Sequence, residues 1–227
     1  AMKGKKTIFC GDIGCYTLGN AMPLDMVDTC LCMGAGLNIA QGVEKVEPDT
    51  TCFAFVGDST FFASAITGVV NAVYNQANMV LIVLDNSTTA MTGHQPHPGT
   101  GQTVMGEIVQ KINIEQVLRG IGVTEIETIN PLELEASVSC VKRMAEKTGV
   151  RAIIFKAPCI AVTKPKAPLH VDQDSCIGCK KCIRDLGCPA IVMNDGKICI
   201  DASMCTGCRL CSQVCPVCAI AGGDDYE

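Results

Sequence analysis

Cysteine is the residue with the clearest chemistry in this 227-residue chain, which has 17 cysteines, ten of them in residues 171–227. Residues 176–189 are CIGCKKCIRDLGCP, and residues 205–216 are CTGCRLCSQVCP. The second stretch is C-x2-C-x2-C-x3-C-P, and the first differs only in its last gap, which has five residues. Three thiolates at this spacing on a tight loop can bind three irons of one cubane, while the fourth cysteine ligates the other cluster. The pattern predicts two iron–sulfur clusters.

Disulfides and zinc are the alternative explanations of these cysteines. Secreted disulfide proteins are usually small and carry a leader peptide, and the sequence displays no such segment. Paired CxxC motifs do bind zinc, but CxxCxxC followed by Cys-Pro, found twice, is much rarer in zinc sites. We therefore expect iron–sulfur clusters, with zinc as the alternative.

Residues 170–222 resemble the two-cluster ferredoxin domain through these motifs, so we expect a small α+β domain over 171–227 with two [4Fe–4S] clusters. The ligands expected for one cluster are Cys176, Cys179, Cys182 and Cys215. Those expected for the other are Cys205, Cys208, Cys211 and Cys188. Cys199 and Cys218 have no ligand role in this pattern, and we expect them to be packed thiols.

Residues 1–162 have the pattern of an α/β domain. Apolar runs such as CFAFV and VLIVL are continuous, as expected for strands buried on both faces of a parallel sheet. Strands are predicted at 7–11, 51–58, 79–86, 123–129 and 151–158. Helices are predicted at 34–45, 59–76, 106–120 and 131–148, the last beginning at Pro131. The alternation indicates a mostly parallel sheet, and TKPKAPLH at 163–170 predicts an interdomain linker.

Polar residues follow two of the predicted strands. GDS at 57–59 follows one buried strand and opens a helix, and DN at 85–86 closes the next strand. Ligands of parallel sheets bind at the carboxyl ends of strands, so these residues are candidates for a binding site. Taken alone the motif is ambiguous, because Asp58 could cap its helix and Asp85–Asn86 could form an ordinary turn.

Asp58 and Asn86, 28 positions apart, resemble the thiamine diphosphate motif, which begins with GDG and ends with an asparagine. Ser59 stands where that family usually has glycine. The resemblance implies Mg2+ bound by Asp58, by Asn86 and by the backbone carbonyl of Thr88. It also implies a diphosphate at helix N-termini, where backbone N–H groups and the helix dipole favour anions.

Three further stretches resemble the thiamine-binding domain of the 2-oxoacid:ferredoxin oxidoreductases: GDIGCYTLG at 11–19, MGAGLNIAQG at 33–42 and DNSTTAMTGHQPHPG at 85–99. Together with the ferredoxin-like tail, essentially the whole chain is similar to the larger subunit of the indolepyruvate branch of that family. The implied cofactor contacts are Gly11, Asp12, Gly14, Cys15, Gly34, Gly57, Asp58, Ser59, Asn86, Thr88, Thr92, Gly93 and His94.

The resemblance implies oxidative decarboxylation of indolepyruvate or another arylpyruvate to acyl-CoA. Its cofactors would be thiamine diphosphate, Mg2+ and two [4Fe–4S] clusters that pass electrons to ferredoxin. The expected partners are CoA and the 2-oxoacid, ferredoxin, a smaller subunit, and a pyrimidine-binding thiamine domain that supplies the activating glutamate. Only AMKGKK precedes Thr7, so we expect a fragment, a split subunit or a truncated gene product.

Two other functions remain open, namely an electron-transfer protein with a non-catalytic α/β domain, and a related enzyme for pyruvate, 2-oxoglutarate or oxalate.

Some residues also have two interpretations. Cys15 and Cys159 could ligate a third cluster near the thiamine or be buried thiols. His94 and His97 could contact diphosphate or substrate, or be solvated loop residues. Four further cysteines are expected in the core: Cys30, Cys32, Cys52 and Cys140.

Composition argues against several classes of protein. The net charge is −5 and there is no basic patch, which disfavours a nucleic-acid partner. The longest apolar run, MVLIVL at 79–84, is far shorter than the roughly 18–20 residues of a membrane span. We expect a cytoplasmic protein that binds neither nucleic acid nor membrane.

Overall fold

The computed structural model describes residues 1–222, which form two compact units. The first unit comprises Ala1–Leu18 and Met26–Cys159, and the second comprises Gly19–Asp25 and the chain from Ile160 onward. The short stretch Gly19–Asp25 therefore belongs to the second unit, although the first unit surrounds it in sequence.

A six-stranded sheet forms the centre of the first unit. Its strands are β1 (Thr7–Asp12), β2 (Thr29–Leu31), β3 (Thr51–Gly57), β4 (Met79–Asp85), β5 (Glu125–Ile129) and β6 (Val150–Lys156). Their order is β2-β1-β3-β4-β6-β5, and every neighbouring pair is parallel. The predicted α/β class with a mostly parallel sheet is confirmed.

Helices cover both faces of this sheet. They are α1 (Ala35–Val46), α2 (Asp58–Thr60), α3 (Ile66–Tyr74), α4 (Ile114–Ile121) and α5 (Leu134–Glu146), and a π-helical segment, Phe61–Ala65, joins α2 to α3. Alternate residues of β3 enter two separate cores: Ala54 and Val56 pack with Leu37 of α1, whereas Phe53 packs with Met144 of α5. Burial on both faces is the reason that the central strands are continuous apolar runs.

The helix predicted over 106–120 is wrong in its first half, because α4 begins only at Ile114. The Asn113 side chain accepts a hydrogen bond from the Gln116 N–H at 3.0 Å and caps this helix. Before it, Gly106 turns the chain with a φ of +91° and Ile108 is 83% exposed. The apolar residues of this loop have helical spacing, but they form no helix here because their side chains have no core to pack against.

Two smaller differences also concern element boundaries. The helix predicted from Pro131 begins at Leu134, after a turn. Strand β2 was missed, because three residues with no buried side chain leave no apolar run to detect.

The second unit is an α+β arrangement, as expected for this part of the chain. Its helices are α6 (Lys181–Leu186) and α7 (Leu210–Val214), and its strands are β7 (Leu169–Val171), β8 (Ile191–Asn194), β9 (Lys197–Ile200) and β10 (Ile220–Gly222). β7 pairs with β10 and β8 with β9, both antiparallel. The last two residues of the stretch predicted as a linker lie in β7. Over residues 1–222, we find no helix with the length and apolar character needed to cross a membrane.

The burial of the non-ligand cysteines was predicted only in part. Cys52 and Cys140 are fully buried, as predicted. Cys30 and Cys32 are exposed, so their assignment to the core was wrong; they lie in and directly after β2, which is at the edge of the sheet. Cys218 is also exposed, in a turn with a φ of +52°, and is not a packed thiol.

Candidate functional site

A cavity of about 190 Å3 lies at the carboxyl ends of β1, β3 and β4. Residues 13–16, 57–60 and parts of 84–92 form its wall, with Met33. β1 has β2 on one side and β3 on the other, so the order of the strands reverses at this point. Parallel sheets bind ligands where the strand order reverses, because the loops on either side diverge and leave a crevice.

Asp58 is a buried acid in the wall of this cavity, with 3% of its side chain exposed. It directly follows β3, whose last residue, Gly57, pairs with Leu84 of the neighbouring β4. Asp58 Oδ1 accepts the Ser59 N–H at 2.8 Å, and Oδ2 accepts the Ser87 N–H at 2.8 Å. The carboxylate therefore joins the ends of two strands.

The loop after β4 brings Asn86 and Thr88 into the same wall. Ser87, between them, has a φ of +60°, and the Asn86 side-chain oxygen accepts the Thr88 N–H at 3.2 Å. The Thr89 hydroxyl donates to the Ser59 hydroxyl at 2.9 Å, which attaches the loop to α2. The three residues that the sequence motif links to Mg2+ thus lie around one cavity.

His97 is buried against Asp58 and is not a solvated loop residue. Its Nε2 lies 3.1 Å from Asp58 Oδ2, and 4% of its side chain is exposed. Its ring stacks on Phe62 with 5.8 Å between the ring centroids. His94, by contrast, is exposed in a turn with a φ of +63°. Nothing in the spacing of the two histidines distinguishes them.

Tyr16 is a residue of this cavity that the sequence analysis missed. Its hydroxyl is buried and has no hydrogen-bond partner among the described residues. A Cβ on Gly14 would lie 2.3 Å from Tyr16 Cε1, so the ring can occupy this place only beside a glycine. Burying a hydroxyl without a partner is costly, and a bound ligand could satisfy it. The only sequence signal is its position directly after Cys15 in GDIGCYTLG.

The remaining predicted contacts fall into two groups. Those that line the cavity are Gly14, Cys15, Gly57, Ser59 and Thr92. Those outside its lining are Gly11, Asp12, Gly34, Gly93 and His94. Asp12 lies behind the wall, where its carboxylate accepts the Gly34 N–H. Burial, opposed by a smaller effect of the Gly34 N–H, raises the pKa of Asp12 to about 6.

Cys15 and Cys159, the two candidate ligands of a third cluster, have different surroundings. Cys15 is exposed and lines the cavity. Cys159 is partly buried, and its N–H donates to the Asn86 carbonyl oxygen at 3.0 Å. Cys159 is therefore attached to the loop that carries the candidate Mg2+ ligands.

The cysteine motifs of the second unit gather into two groups. Burial, together with smaller contributions from the neighbouring thiols of Cys208, Cys188 and Cys205, raises the pKa of the Cys211 thiol to about 11. Burial also raises the pKa of the Cys182 thiol, with additional contributions from two other cysteines. These two are Cys179 and Cys215. The fourth cysteine of each motif thus lies near cysteines of the other motif.

The two motifs also share a backbone shape. Gly178 and Lys180 have φ values of +65° and +58°, and Gly207 and Arg209 have +71° and +63°. In each motif the third cysteine lies on the helix that follows, α6 or α7. Turns of this kind can point successive backbone N–H groups into a concave anion-binding surface, which is common at iron–sulfur sites.

The two extra residues of the first motif are accommodated at the end of α6. Gly187 ends this helix with a φ of +57° and directly precedes Cys188. A Cβ on Gly187 would lie 3.2 Å from Leu24 Cγ, so the turn has little room for a side chain.

Single-ion sites need at least three ligands that converge on one point. Among the residues that the structure describes, no three His, Cys, Asp or Glu side chains do so. A cubane instead distributes its thiolates over several irons.

Comparison with known proteins identifies the first unit. Residues 12–155 match the family of thiamine pyrophosphate enzymes, in the C-terminal TPP binding domain. The chain belongs to this family. The family match therefore covers the cavity and nearly the whole sheet of this thiamine pyrophosphate enzyme domain.

The most informative relatives of this thiamine pyrophosphate enzyme chain are archaeal. It is 42% identical, over 96% of its length, to the indolepyruvate oxidoreductase subunit IorA of Methanothermobacter thermautotrophicus. It is 40% identical, over 92% of its length, to the IorA subunit of Archaeoglobus fulgidus. The predicted resemblance to the indolepyruvate branch is confirmed. The chain spans 36% and 34% of these two proteins, about a third of their length.

A solved structure supports the fold. The 2-oxoglutarate:ferredoxin oxidoreductase from Magnetococcus marinus matches with a TM-score of 0.64 and 18% identity, over 71% of this chain and 57% of that one. At this identity the match concerns the fold alone.

The cavity residues fit the diphosphate end of thiamine pyrophosphate. Asp58 and Asn86 present oxygen ligands of the type that Mg2+ prefers, and Gly57 places no side chain between them and the cavity. The Tyr16 hydroxyl is a donor with no partner among the described residues. A Mg2+-bound diphosphate would provide acceptors for it.

Proposed function

We propose that the chain is the C-terminal part of the larger subunit of a thiamine diphosphate-dependent indolepyruvate:ferredoxin oxidoreductase. The observation that carries this proposal is the combination of two sites in one chain. The strand-end cavity contains Asp58, Asn86 and Thr88, and the second unit gathers the cysteines into two groups. We propose indolepyruvate or another arylpyruvate as the substrate because the similar proteins are named IorA, an indolepyruvate oxidoreductase subunit.

In the first unit, Asp58, Asn86 and the Thr88 carbonyl would hold Mg2+, and the N-terminal end of the helical stretch from Asp58 would face the diphosphate. When bound, thiamine diphosphate supplies the carbon nucleophile that makes the decarboxylation of a 2-oxoacid possible. The chain would bind, orient and partly enclose it. Gly14 leaves room for the Tyr16 ring, Gly57 adds no side chain to the cavity wall, and Tyr16 offers a hydroxyl to the ligand.

In the second unit, the eight motif cysteines would hold two [4Fe–4S] clusters, which are one-electron carriers. In the proposed reaction the clusters would carry the two electrons of the oxidation to ferredoxin, and CoA would accept the acyl group. The CxxCxxC spacing followed by Cys-Pro, found twice, supports iron–sulfur over zinc. Turns such as Gly178–Lys180 and Gly207–Arg209 can direct backbone N–H groups toward a bound anion. The Ala219 N–H, which donates to Cys215 Sγ at 3.3 Å, would be such a donor to a ligand sulfur.

The proposed partners are a pyrimidine-binding thiamine domain with its activating glutamate, a smaller subunit, ferredoxin and CoA. Apolar side chains near the cavity are exposed, among them Ile13, Met33 and Met91. Such a surface supports contact with another protein domain. We also propose a cytoplasmic location, since the cysteines of the described residues are free and the cytosol keeps thiols reduced.

An electron-transfer protein with a non-catalytic α/β domain is the other candidate. Asp58 argues for retained binding, because burying a carboxylate at a strand end is costly, and its three hydrogen bonds offset only part of that cost. An enzyme for pyruvate, 2-oxoglutarate or oxalate would use the same two sites, and substrate assays distinguish it.

The test is anaerobic purification followed by assays of iron, sulfide, zinc and thiamine. Two [4Fe–4S] clusters correspond to about eight irons per chain, with equal sulfide and no zinc. Thiamine diphosphate and Mg2+ should bind more tightly after addition of the proposed pyrimidine-binding domain, and Asp58→Asn should abolish this binding. Zinc in place of iron would contradict the electron-transfer proposal, and unchanged binding by Asp58→Asn would contradict the assignment of the cavity.

A further inference from the structure

His97 has no assigned role, yet it is the only side chain among the described residues that hydrogen-bonds the Asp58 carboxylate. The other donors to that carboxylate are backbone N–H groups, from Ser59 and Ser87. Asp58 and His97 are 39 positions apart, so the loop after β4 must return to the cavity to make this contact. Both side chains are almost fully buried, at 3% and 4% exposure.

The proton of the His97 ring is assigned by the hydrogen bond on its far side. The Gly99 N–H donates to Nδ1 at 3.1 Å, so Nδ1 is an acceptor and carries no proton. The remaining ring proton is therefore on Nε2, which donates to Asp58 Oδ2 at 3.1 Å. The contact has a defined direction: imidazole is the donor and carboxylate the acceptor.

Packing keeps the ring in this position. Phe62 stacks on it at an interplanar angle of 30°, and Phe62 belongs to the π-helical segment that follows α2. A Cβ on Gly99 would lie 3.0 Å from His97 Cε1 and 3.1 Å from Phe62 Cε2, so the absence of a side chain at Gly99 makes room for both rings. Widened helical turns of this type are frequent at functional sites.

The two carboxylate oxygens of Asp58 accept different numbers of hydrogen bonds. An ionised carboxylate has about four lone-pair sites, two on each oxygen. Oδ2 accepts two hydrogen bonds, from Ser87 N–H and from His97 Nε2–H, whereas Oδ1 accepts only the Ser59 N–H. The free acceptor position is therefore on Oδ1.

We propose that His97 is a positioning residue for the divalent cation: it occupies Asp58 Oδ2 and thereby leaves Oδ1 as the oxygen that binds the metal. The proposal rests on the proposed thiamine diphosphate–Mg2+ site. Groups that orient a metal ligand typically change metal affinity by about 10- to 100-fold when they are removed. We expect an effect of this size for His97.

The test uses Mn2+ and thiamine diphosphate with the full 227-residue chain, with bound Mn2+ measured by electron paramagnetic resonance. His97→Phe keeps a ring to stack on Phe62 but removes both hydrogen bonds, and it should weaken Mn2+ binding about 10- to 100-fold. His97→Gln restores an N–H donor at the distance of Nε2 and should recover most of the affinity. His170→Phe, at an exposed histidine of the second unit, is the matched control and should bind as the unchanged chain does.

Three outcomes would each contradict a different part of the proposal for His97. If His97→Phe binds Mn2+ as tightly as the unchanged chain, the role of His97 is refuted and the proposed site stands. If His97→Phe and His97→Gln are equally weak, an N–H donor at this position does not restore metal binding, and the role assigned to the His97 Nε2–H is refuted. If the unchanged chain and Asp58→Asn bind Mn2+ equally, the proposed site fails and the inference falls with it.

A second measurement does not depend on metal binding or on the folding of a variant. The chain has three histidines, so nitrogen NMR of the imidazoles can resolve each one. We expect the ring of His97 to carry its proton on Nε2, with Nδ1 unprotonated. A proton on Nδ1 would contradict the hydrogen bond to Asp58 and with it the positioning role.

Discussion

The two units of this chain form their candidate sites from different materials. In the first unit, apolar side chains fill both faces of a six-stranded sheet, and the cavity lies outside that core at the strand ends. In the second unit, the proposed ligands Cys182 and Cys211 are themselves among the buried residues, at 7% and 8% exposure. The cavity of the first unit lies outside that unit's core, whereas the proposed cluster ligands of the second unit are part of its core.

This difference predicts different responses to loss of the cofactor. A sheet with two apolar faces is stable through packing, so the first unit should keep its fold when the cavity is empty. A unit as small as the second rarely buries enough apolar surface on its own, and small domains commonly depend on metal. Binding of the proposed clusters would then be part of the folding free energy of the second unit.

The largest expected effect is loss of a cluster ligand. Cys211→Ser should remove about half of the iron and abolish amide hydrogen-exchange protection in α6 and α7, because the metal contributes to folding there. Protection of β3 and β4 should not change. Mass spectrometry of exchanged, anaerobically prepared protein measures both, with Cys218→Ser, an exposed thiol, as the control. If Cys211→Ser retains amide hydrogen-exchange protection in both units, the expected difference between the two units is refuted.

The next effect should come from the packed core of the first unit. Leu81 is fully buried at the centre of β4, and Leu81→Ala should cost about 2–5 kcal/mol of unfolding free energy by leaving a cavity. Urea unfolding, followed by the protection of β3 and β4 amides, measures it, and the iron content should stay constant. Val104→Ala, at 82% exposure, should change the unfolding free energy by less than about 0.5 kcal/mol. A parallel loss of iron would show that the two units are not independent.

A smaller, pH-dependent effect should come from Asp12. Burial raises its pKa from 3.8 to about 6 in the folded state, so the folded state binds more protons than the unfolded state between these values. Its contribution to stability is therefore greatest below the unfolded pKa and is lost as the pH rises through 6. The unfolding free energy of Asp12→Asn minus that of the unchanged chain should therefore increase by about 1–1.5 kcal/mol when the pH is raised from about 5 to about 8.

Urea unfolding at the two pH values measures this gain for Asp12→Asn. Asp49→Asn, at an exposed acid of the same unit, is the control and should show no such gain. A pH-independent difference between Asp12→Asn and the unchanged chain would contradict the raised pKa.

The smallest effect on stability should come from Tyr16. Its hydroxyl has no partner in the described part of the chain, so Tyr16→Phe should change the unfolding free energy by less than about 1 kcal/mol. It should weaken the binding of Mn2+ and thiamine diphosphate about five- to tenfold, the value of one hydrogen bond. Tyr74→Phe, at 86% exposure, is the matched control. A loss of stability without any loss of binding would show that Tyr16 serves the fold and not the ligand.

Local sequence patterns located most of the first unit. β3 and β4 were predictable because burial on both faces makes them continuous apolar runs. The same reasoning failed for residues 106–113, whose apolar spacing is helical but whose side chains are exposed. Periodicity reports burial only where a core is present to receive the side chains.

The candidate sites were predictable to different degrees for the same reason. Each cysteine motif places three of the four proposed ligands of one cluster within a few residues of each other, and a motif of that length is visible in the sequence. Asp58 and Asn86 could be paired because parallel strands bring their carboxyl ends to one edge of the sheet. His97 and Tyr16 could not be assigned to the site, because their roles depend on the path of a long loop and on an unpaired hydroxyl. Local spacing therefore determines which chemical groups the chain carries, whereas contacts across 39 positions decide which of them meet.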